Sequence, residues 1–215
     1  MKTPEEVAQA ILRDWAMTYV HPENRRPDNP QRAINLAISK VAAAIRADRK
    51  EVVEECCKDT DERVFFYEHD FYVLSNFSAF RLYWRGLQFY NSEFAYHWEK
   101  FPHNYDIQQA IRNAMSAHEA FKIAERHKDS VRPDWKDVRV SIMRAILCAK
   151  ADQHEYVRRK LLGTGDRELI ENSWRDNFWG WGPNRDGQNM LGKLWMEIRT
   201  ELRTRFAAEL GGENG

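Results

Sequence analysis

The segment that constrains this chain most is residues 91–101, NSEFAYHWEKF, with Pro102 directly behind it. Ser92 is a good N-cap and Pro102 stops whatever helix precedes it, so the segment reads as one short helix. A helix turns about 100° per residue, so positions seven apart fall on nearly one face, roughly 10 Å along the axis. Glu93, Tyr96 or His97, and Lys100 then form a stripe crowded by Phe94, Trp98 and Phe101. An ordinary amphipathic helix with a charged solvent face is the plain alternative. Aromatic density weighs against it, because a carboxylate and an amine set among rings suit a lined site better than a wet surface.

Texture divides the chain. Residues 1–58 carry helical signals: Pro4-Glu5-Glu6 opens a first helix through Val7, Ile11, Leu12 and Trp15, and Asn29-Pro30 opens a second through Ile34, Ile38, Val41 and Ile45. The charged link KDTDER over 58–63 marks a boundary. Beyond it, residues 64–67 and 71–74 are short β-prone runs. Leu82 and Trp84 alternate with polar residues before Arg85-Gly86 turns the chain into 87–90, which predicts a hairpin. Helices dominate the rest: 106–115; 117–126, with a Ser116/Glu119 capping box; one opened by Pro133-Asp134; a short one ending at Leu162-Gly163, with Gly163 as its C′ residue; and a last one from about Asn189. The expected fold is α+β and mostly helical. It comprises one compact domain over 59–215 with a small antiparallel β element, behind a helical extension over 1–58.

Composition narrows the function. Lys and Arg number 33 against 33 Asp and Glu, so no basic footprint exists for tight, sequence-specific nucleic-acid binding. No apolar run reaches membrane-span length and residues 1–20 lack a signal-peptide core. Cys56, Cys57 and the distant Cys148 form neither a disulfide framework nor a zinc pattern, which suits a reducing cytoplasm. The histidines lack metal-ligand spacing, so no metal is expected. Eight Trp, 11 Phe and eight Tyr fit a large core or a site that stacks flat rings.

Four segments are polar or glycine-rich where packing alone would not ask for it: LSNF over 74–77, the Glu93/Lys100 helix, RPDW over 132–135, and DNFWGWGPNRDGQNMLG over 176–192. In the last, glycines let backbone approach a ligand, and the helix start near Gln188-Asn189 is suited to an anion such as phosphate. Each segment alone is explained as well by a turn, a helix start or core.

Together and in order they resemble the NADAR (NAD and ADP-ribose) domain family, whose best-known branch is the YbiA-like N-glycosidases. The matching residues are Ser75-Asn76-Phe77, Ser92-Glu93, Lys100-Phe101, Arg132-Pro133-Asp134-Trp135, Leu161-Leu162-Gly163-Thr164, Glu171, Asp176 through Gly180, and Gly187 through Gly192. They span about 64–205. Among the departures from the family's usual run, Phe94 stands where His is usual, and His97 where Gln is usual.

The resemblance implies cleavage of a ribose C1′–N bond without a metal or redox cofactor. It implies Glu93, Lys100 and Asp176 as catalytic residues, with Lys100 either a positioned cation or a nucleophile that forms a Schiff base. Asn76, Phe77, His97, Arg132, Trp135, Trp179, Gly180 and Asn189 are the implied substrate-binding residues. The implied partner is an ADP-ribose-containing substrate, ADP-ribosylated DNA among the carriers, and no membrane. Ribosylamino-pyrimidine phosphates of riboflavin synthesis are the alternative substrate class, and a non-catalytic ADP-ribose or NAD sensor is the alternative role.

Overall fold

The computed structural model of the chain describes residues 60–67 and 72–212. The extension expected over 1–58 lies outside the described residues. Strand β1 (Arg63–Phe66) is followed by a 3₁₀ turn (Tyr72–Leu74) and a hairpin of β2 (Leu82–Trp84) and β3 (Leu87–Phe89). Helices α1 (Ser92–Glu99), α2 (Tyr105–Arg112), α3 (Ala117–Arg126), α4 (Trp135–Gln153) and α5 (Glu155–Leu162) come next. Strand β4 (Glu168–Glu171) and helix α6 (Met190–Gly212) complete the described part. It is α+β and mostly helical, as expected. No helix among the described residues is long and apolar enough to cross a membrane.

The antiparallel hairpin forms where the alternation predicted it, with Leu82 opposite Phe89 and Trp84 opposite Leu87. Its two-residue turn needs positive φ twice, at Arg85 (51°) and Gly86 (77°), and only the second is easy for its residue type. The run 71–74 is not a strand. Tyr72–Leu74 winds into the 3₁₀ turn, closed by Ser75 N–H on the Tyr72 carbonyl at 2.9 Å. Phe71 lies outside the described residues. Val73 and Leu74 satisfy their hydrophobicity by burial against helices, so they need no sheet partner.

Strand β4 was not anticipated. It pairs in parallel with β1, Val64 opposite Leu169 and Phe66 opposite Glu171, across a connection of about 100 residues. Its ELIE sequence is too short to separate from a helix end by pattern alone. Three other details differ from expectation. Asn91, not Ser92, caps α1: its side-chain oxygen accepts from Phe94 N–H at 3.3 Å. In the Ser116 box, the serine accepts from Glu119 N–H at 3.1 Å, but Glu119 reaches back to Met115 N–H at 2.7 Å instead of to Ser116. Gly163 ends α5 with φ −65°, in the right-handed region, and Gly165 two residues on takes the positive φ of 61°.

The core lies where α4, α6 and the β1–β4 pair meet. Ile142, Met143, Ile146 and Leu147 of α4 and Leu191, Leu194, Trp195, Ile198 and Leu202 of α6 are buried at helical spacing, with Val64, Phe66 and Leu169 from the strands. Polar groups within this core pin the 74–78 segment. Trp195 Nε1 donates to the Leu74 carbonyl at 2.8 Å. Lys150, fully buried, donates through Nζ to the Ser75 carbonyl at 2.8 Å and to Ser78 Oγ at 2.7 Å. Segment 74–78 in turn abuts the start of α1, where Glu93 N–H donates to the Asn76 carbonyl at 3.3 Å. At the other end of α1, Glu99 accepts from Trp84 Nε1 at 2.6 Å and from Arg85 Nε at 2.9 Å, which ties the helix to the hairpin. Helix α1 is therefore fixed at both ends, and the side chains it presents are held on a rigid element.

Candidate active site

Glu93 enters from the first turn of α1 and is buried, 9% exposed. Four residues on, His97 lies on the same face, and its Nε2 is 2.8 Å from Glu93 Oε1. Against a carboxylate, Nε2 is the donor; Nδ1 is buried with no partner among the described residues. The His97 ring is seated edge-on against Tyr96 and Phe121, at 5.6 and 5.7 Å between centroids.

Lys100 caps the C-terminus of α1, and its carbonyl receives Arg132 N–H at 2.9 Å. That bond brings the start of α4 to the lysine. The Lys100 Nζ lies 5.5 Å from the Tyr96 ring centroid and 5.8 Å from that of Trp135. Burial lowers the Lys100 ammonium below its ordinary value; the charges of Glu93 and Glu125 oppose that shift and that of Arg139 adds to it. Desolvation among rings prevails over the nearby carboxylates, which favours a neutral, nucleophilic amine.

Tyr96 stands at the centre of the aromatic wall, 5.0 Å from Trp135 and 5.5 Å from Trp179, the latter edge-to-face at 89°. Burial raises its hydroxyl well above the ordinary phenol range, while a hydrogen bond from Trp179 pulls the other way. Tyr96 is therefore a neutral donor at any physiological pH.

The 176–192 loop folds on itself. Asp176 Oδ1 accepts from both Phe178 N–H and Trp179 N–H at 2.8 Å, so one carboxylate oxygen of Asp176 fixes the Trp179 backbone. The glycines are required by this folding. A Cβ on Gly180 would sit 2.7 Å from Ser173 Cβ and 3.0 Å from the Glu171 carbonyl, and one on Gly187 would sit 2.5 Å from the Gly180 carbonyl. The anion site expected at the start of α6 is closed as well. Asn189, Met190 and Leu191 donate their N–H groups to the carbonyls of Gly180, Phe178 and Trp179, at 3.0–3.1 Å.

Of the residues expected at the site, the structure gathers Glu93, His97, Lys100, Trp135, Trp179 and Asp176 around Tyr96, with Asn76 beneath the start of α1. Asn76 Oδ1 is buried with no partner among the described residues. Others do different work. The Asn189 side chain takes Glu171 N–H at 2.9 Å and gives to the Leu169 carbonyl at 2.8 Å, so both ends of its amide are spent pinning β4. Arg132 forms a two-pronged pair with Asp134 at 2.6 and 2.8 Å. Phe77 is 40% exposed, and its carbonyl holds Tyr72 Oη and Asn91 Nδ2.

The residue that sequence reasoning quoted but did not place in the site is Glu171. Burial, reinforced by the charges of Asp176 and Glu93, pushes its carboxyl up to about 8, and its Oε2 has no partner among the described residues. Strand β4 delivers it, and that strand was the element without a local signal. Glu171 is thus a protonated carboxylic acid near neutral pH, close to the Glu93 carboxylate. A carboxyl group held protonated beside a second carboxyl can act as the acid of an acid–base pair.

Carboxyl groups, a desolvated amine and a wall of rings meet here, an arrangement that can perform acid–base chemistry. The sequence model of the NADAR domain matches residues 65–203, and the chain belongs to the NADAR domain family. N-glycosidase YbiA of Shigella boydii is 31% identical over 158 residues, 74% of this chain and 96% of that protein. An N-glycosidase of Nostoc punctiforme is 35% identical over 65% of this chain and 92% of its own length. A riboflavin biosynthesis protein of Vibrio vulnificus is 35% identical over 66% of this chain, which spans 39% of that protein's length. The NMR structure of the Escherichia coli protein YbiA superposes with a TM-score of 0.63 at 30% identity, over 70% of this chain and 90% of that one.

Proposed function

We propose that this chain hydrolyses the C1′–N bond of an ADP-ribosylated nucleobase, such as ADP-ribosyl-guanine in DNA or in a nucleotide, and releases ADP-ribose. It is a hydrolase acting on N-glycosyl bonds: relatives named N-glycosidases match it over 92 and 96% of their length. The observation that carries the chemistry is the set formed by the Glu93–His97 pair at 2.8 Å, the protonated Glu171 and the desolvated Lys100.

Breaking C1′–N leaves positive charge on the sugar, so a carboxylate near C1′ lowers the barrier. Glu93 takes that role, held by His97. Glu171 supplies the proton to the departing nitrogen. Lys100 Nζ bonds to C1′ as the bond to the base breaks; the glycosylamine so formed loses an Nζ proton to Glu93, and its C1′–O4′ bond opens with a proton taken up at O4′, leaving Lys100 joined to the opened sugar as an imine. Water then hydrolyses the resulting imine, returning the amine and the sugar aldehyde, which recloses. Asp176 holds the loop that carries Trp179, and Trp135 and Trp179 confine the rings of the substrate. A cytoplasmic location belongs to the same proposal, as does recognition of the adduct without a tight grip on duplex DNA.

A second reading, cleavage of ribosylamino-pyrimidine phosphates, is favoured by the 35% identity to a relative named for riboflavin biosynthesis. Incubation with ADP-ribosyl-guanine and, separately, with a ribosylamino-pyrimidine phosphate, followed by mass spectrometry of the released base, decides between them. Guanine release supports the first reading, and release of the pyrimidine alone replaces it with the second. Binding of ADP-ribose with no release from either substrate would leave a sensor.

A further inference from the structure

Three carboxyl groups meet at this site, yet every substrate class under consideration carries a phosphate on the ribose that is cleaved. A phosphate cannot settle beside Glu93 and Asp176 without a cation to receive it. The start of α6 is not available, since its first N–H groups are bonded to loop carbonyls. Arg132 is committed to Asp134. Lys100 is desolvated and sits over Tyr96 and Trp135.

Arg139 remains. It lies four residues after Trp135 on α4, so it shares a helix face with a wall of the site. Its charge is felt at both Tyr96 and Lys100. The guanidinium carbon lies 3.6 Å above the centroid of the Phe178 ring, next to Trp179. Stacking on a ring holds the plane of the guanidinium and leaves its N–H edge free. That edge is unsatisfied: Nε is buried with no hydrogen-bond partner, and Arg139 makes no ion pair among the described residues. Leaving a half-buried guanidinium unpaired costs stability, and that cost is offset when a ligand supplies the acceptors. A fork of parallel N–H donors matches the oxygens of a phosphate better than those of a neutral sugar.

We propose that Arg139 receives the phosphate on the 5′ carbon of the ribose whose C1′–N bond is cleaved. This rests on the N-glycosidase reading but not on the choice of base, because both substrate classes carry that phosphate. The test is calorimetric titration of the full chain with ribose 5-phosphate and with ribose, which requires no turnover. The parent protein binds ribose 5-phosphate at least about tenfold more tightly than ribose, the scale of one charge-assisted hydrogen-bonded contact. Arg139→Gln abolishes that preference, and Arg139→Lys, which keeps the charge without the fork, retains part of it. Were Arg139 merely propping Phe178, its loss would weaken both sugars alike and leave the ratio untouched. That outcome overturns the proposal, as does a parent protein with no preference for the phosphorylated sugar. Failure to release a base from any N-glycoside would sink the proposed function separately, since the titration reads binding alone.

Discussion

Glu171→Gln removes a titration while nearly preserving shape, and the structure sets its size. The Glu171 side chain is buried, and its carboxyl is raised from an ordinary value of 4.5 to about 8. The folded chain therefore keeps a proton that the unfolded chain releases. Because the folded value lies above the unfolded one, the associated stability is fully present below about pH 4.5 and is lost as pH rises through about 8. Each pH unit in that window is worth about 1.36 kcal/mol, so the whole interval is worth at most about 5 kcal/mol, with roughly 3 kcal/mol gone by pH 7. Against a domain stability of about 5–15 kcal/mol this is readily measured. Urea unfolding of the parent and of Glu171→Gln, from pH 5 to pH 8, gives the comparison. Gln does not titrate, so the parent should lose about 4 kcal/mol more than the variant across that range. Gln also leaves amide donors unpaired, an offset of about 1–3 kcal/mol that does not vary with pH, so the difference in slope is the decisive quantity. Lys150, lowered to about 7 by burial, contributes the opposite slope above pH 7, equally in both proteins. Parallel pH curves for parent and variant would refute the reasoning, since the Glu171 carboxyl would then titrate alike in the folded and the unfolded chain.

Four shorter predictions follow from the same geometry. Glu93→Gln keeps the fold but slows turnover by at least about 10²-fold, and single-turnover rates near the parent's would remove Glu93 from the chemistry. Borohydride added during turnover leaves an adduct with the mass of the substrate's sugar portion on Lys100; absence of the adduct, together with near-parent turnover by Lys100→Arg, would reduce the lysine to a positioned cation. Trp179→Ala, which strips the edge-to-face partner of Tyr96, weakens ADP-ribose binding more than it slows the bound-state step, and an unchanged affinity returns Trp179 to a packing role. A chain beginning at Asp59 is expected to fold and stay active, because no matched motif precedes it; insolubility or loss of activity would assign residues 1–58 a part in the core or the site.

Elements whose cause is local were legible in the residues alone. The hairpin followed from alternation around Arg85-Gly86, α1 from its polar start and Pro102, and α4 and α6 from buried residues at helical spacing. Glu93 and His97 were legible as neighbours because four residues make one turn. Features that depend on partners distant in sequence emerged only in the fold. Strand β4 exists because β1, about 100 residues earlier, supplies its ladder, and with β4 comes Glu171. Asn189, polar and next to a helix start, looked like a ligand contact, but its amide is used by the β4 backbone. Gly180 and Gly187 looked like room for a ligand and are room for the loop itself. Whether Lys100 is a charged surface amine or a desolvated one was settled by Tyr96 and Trp135 closing over it. Residue type sets which chemistry is possible, and burial by remote segments sets which protonation state is present.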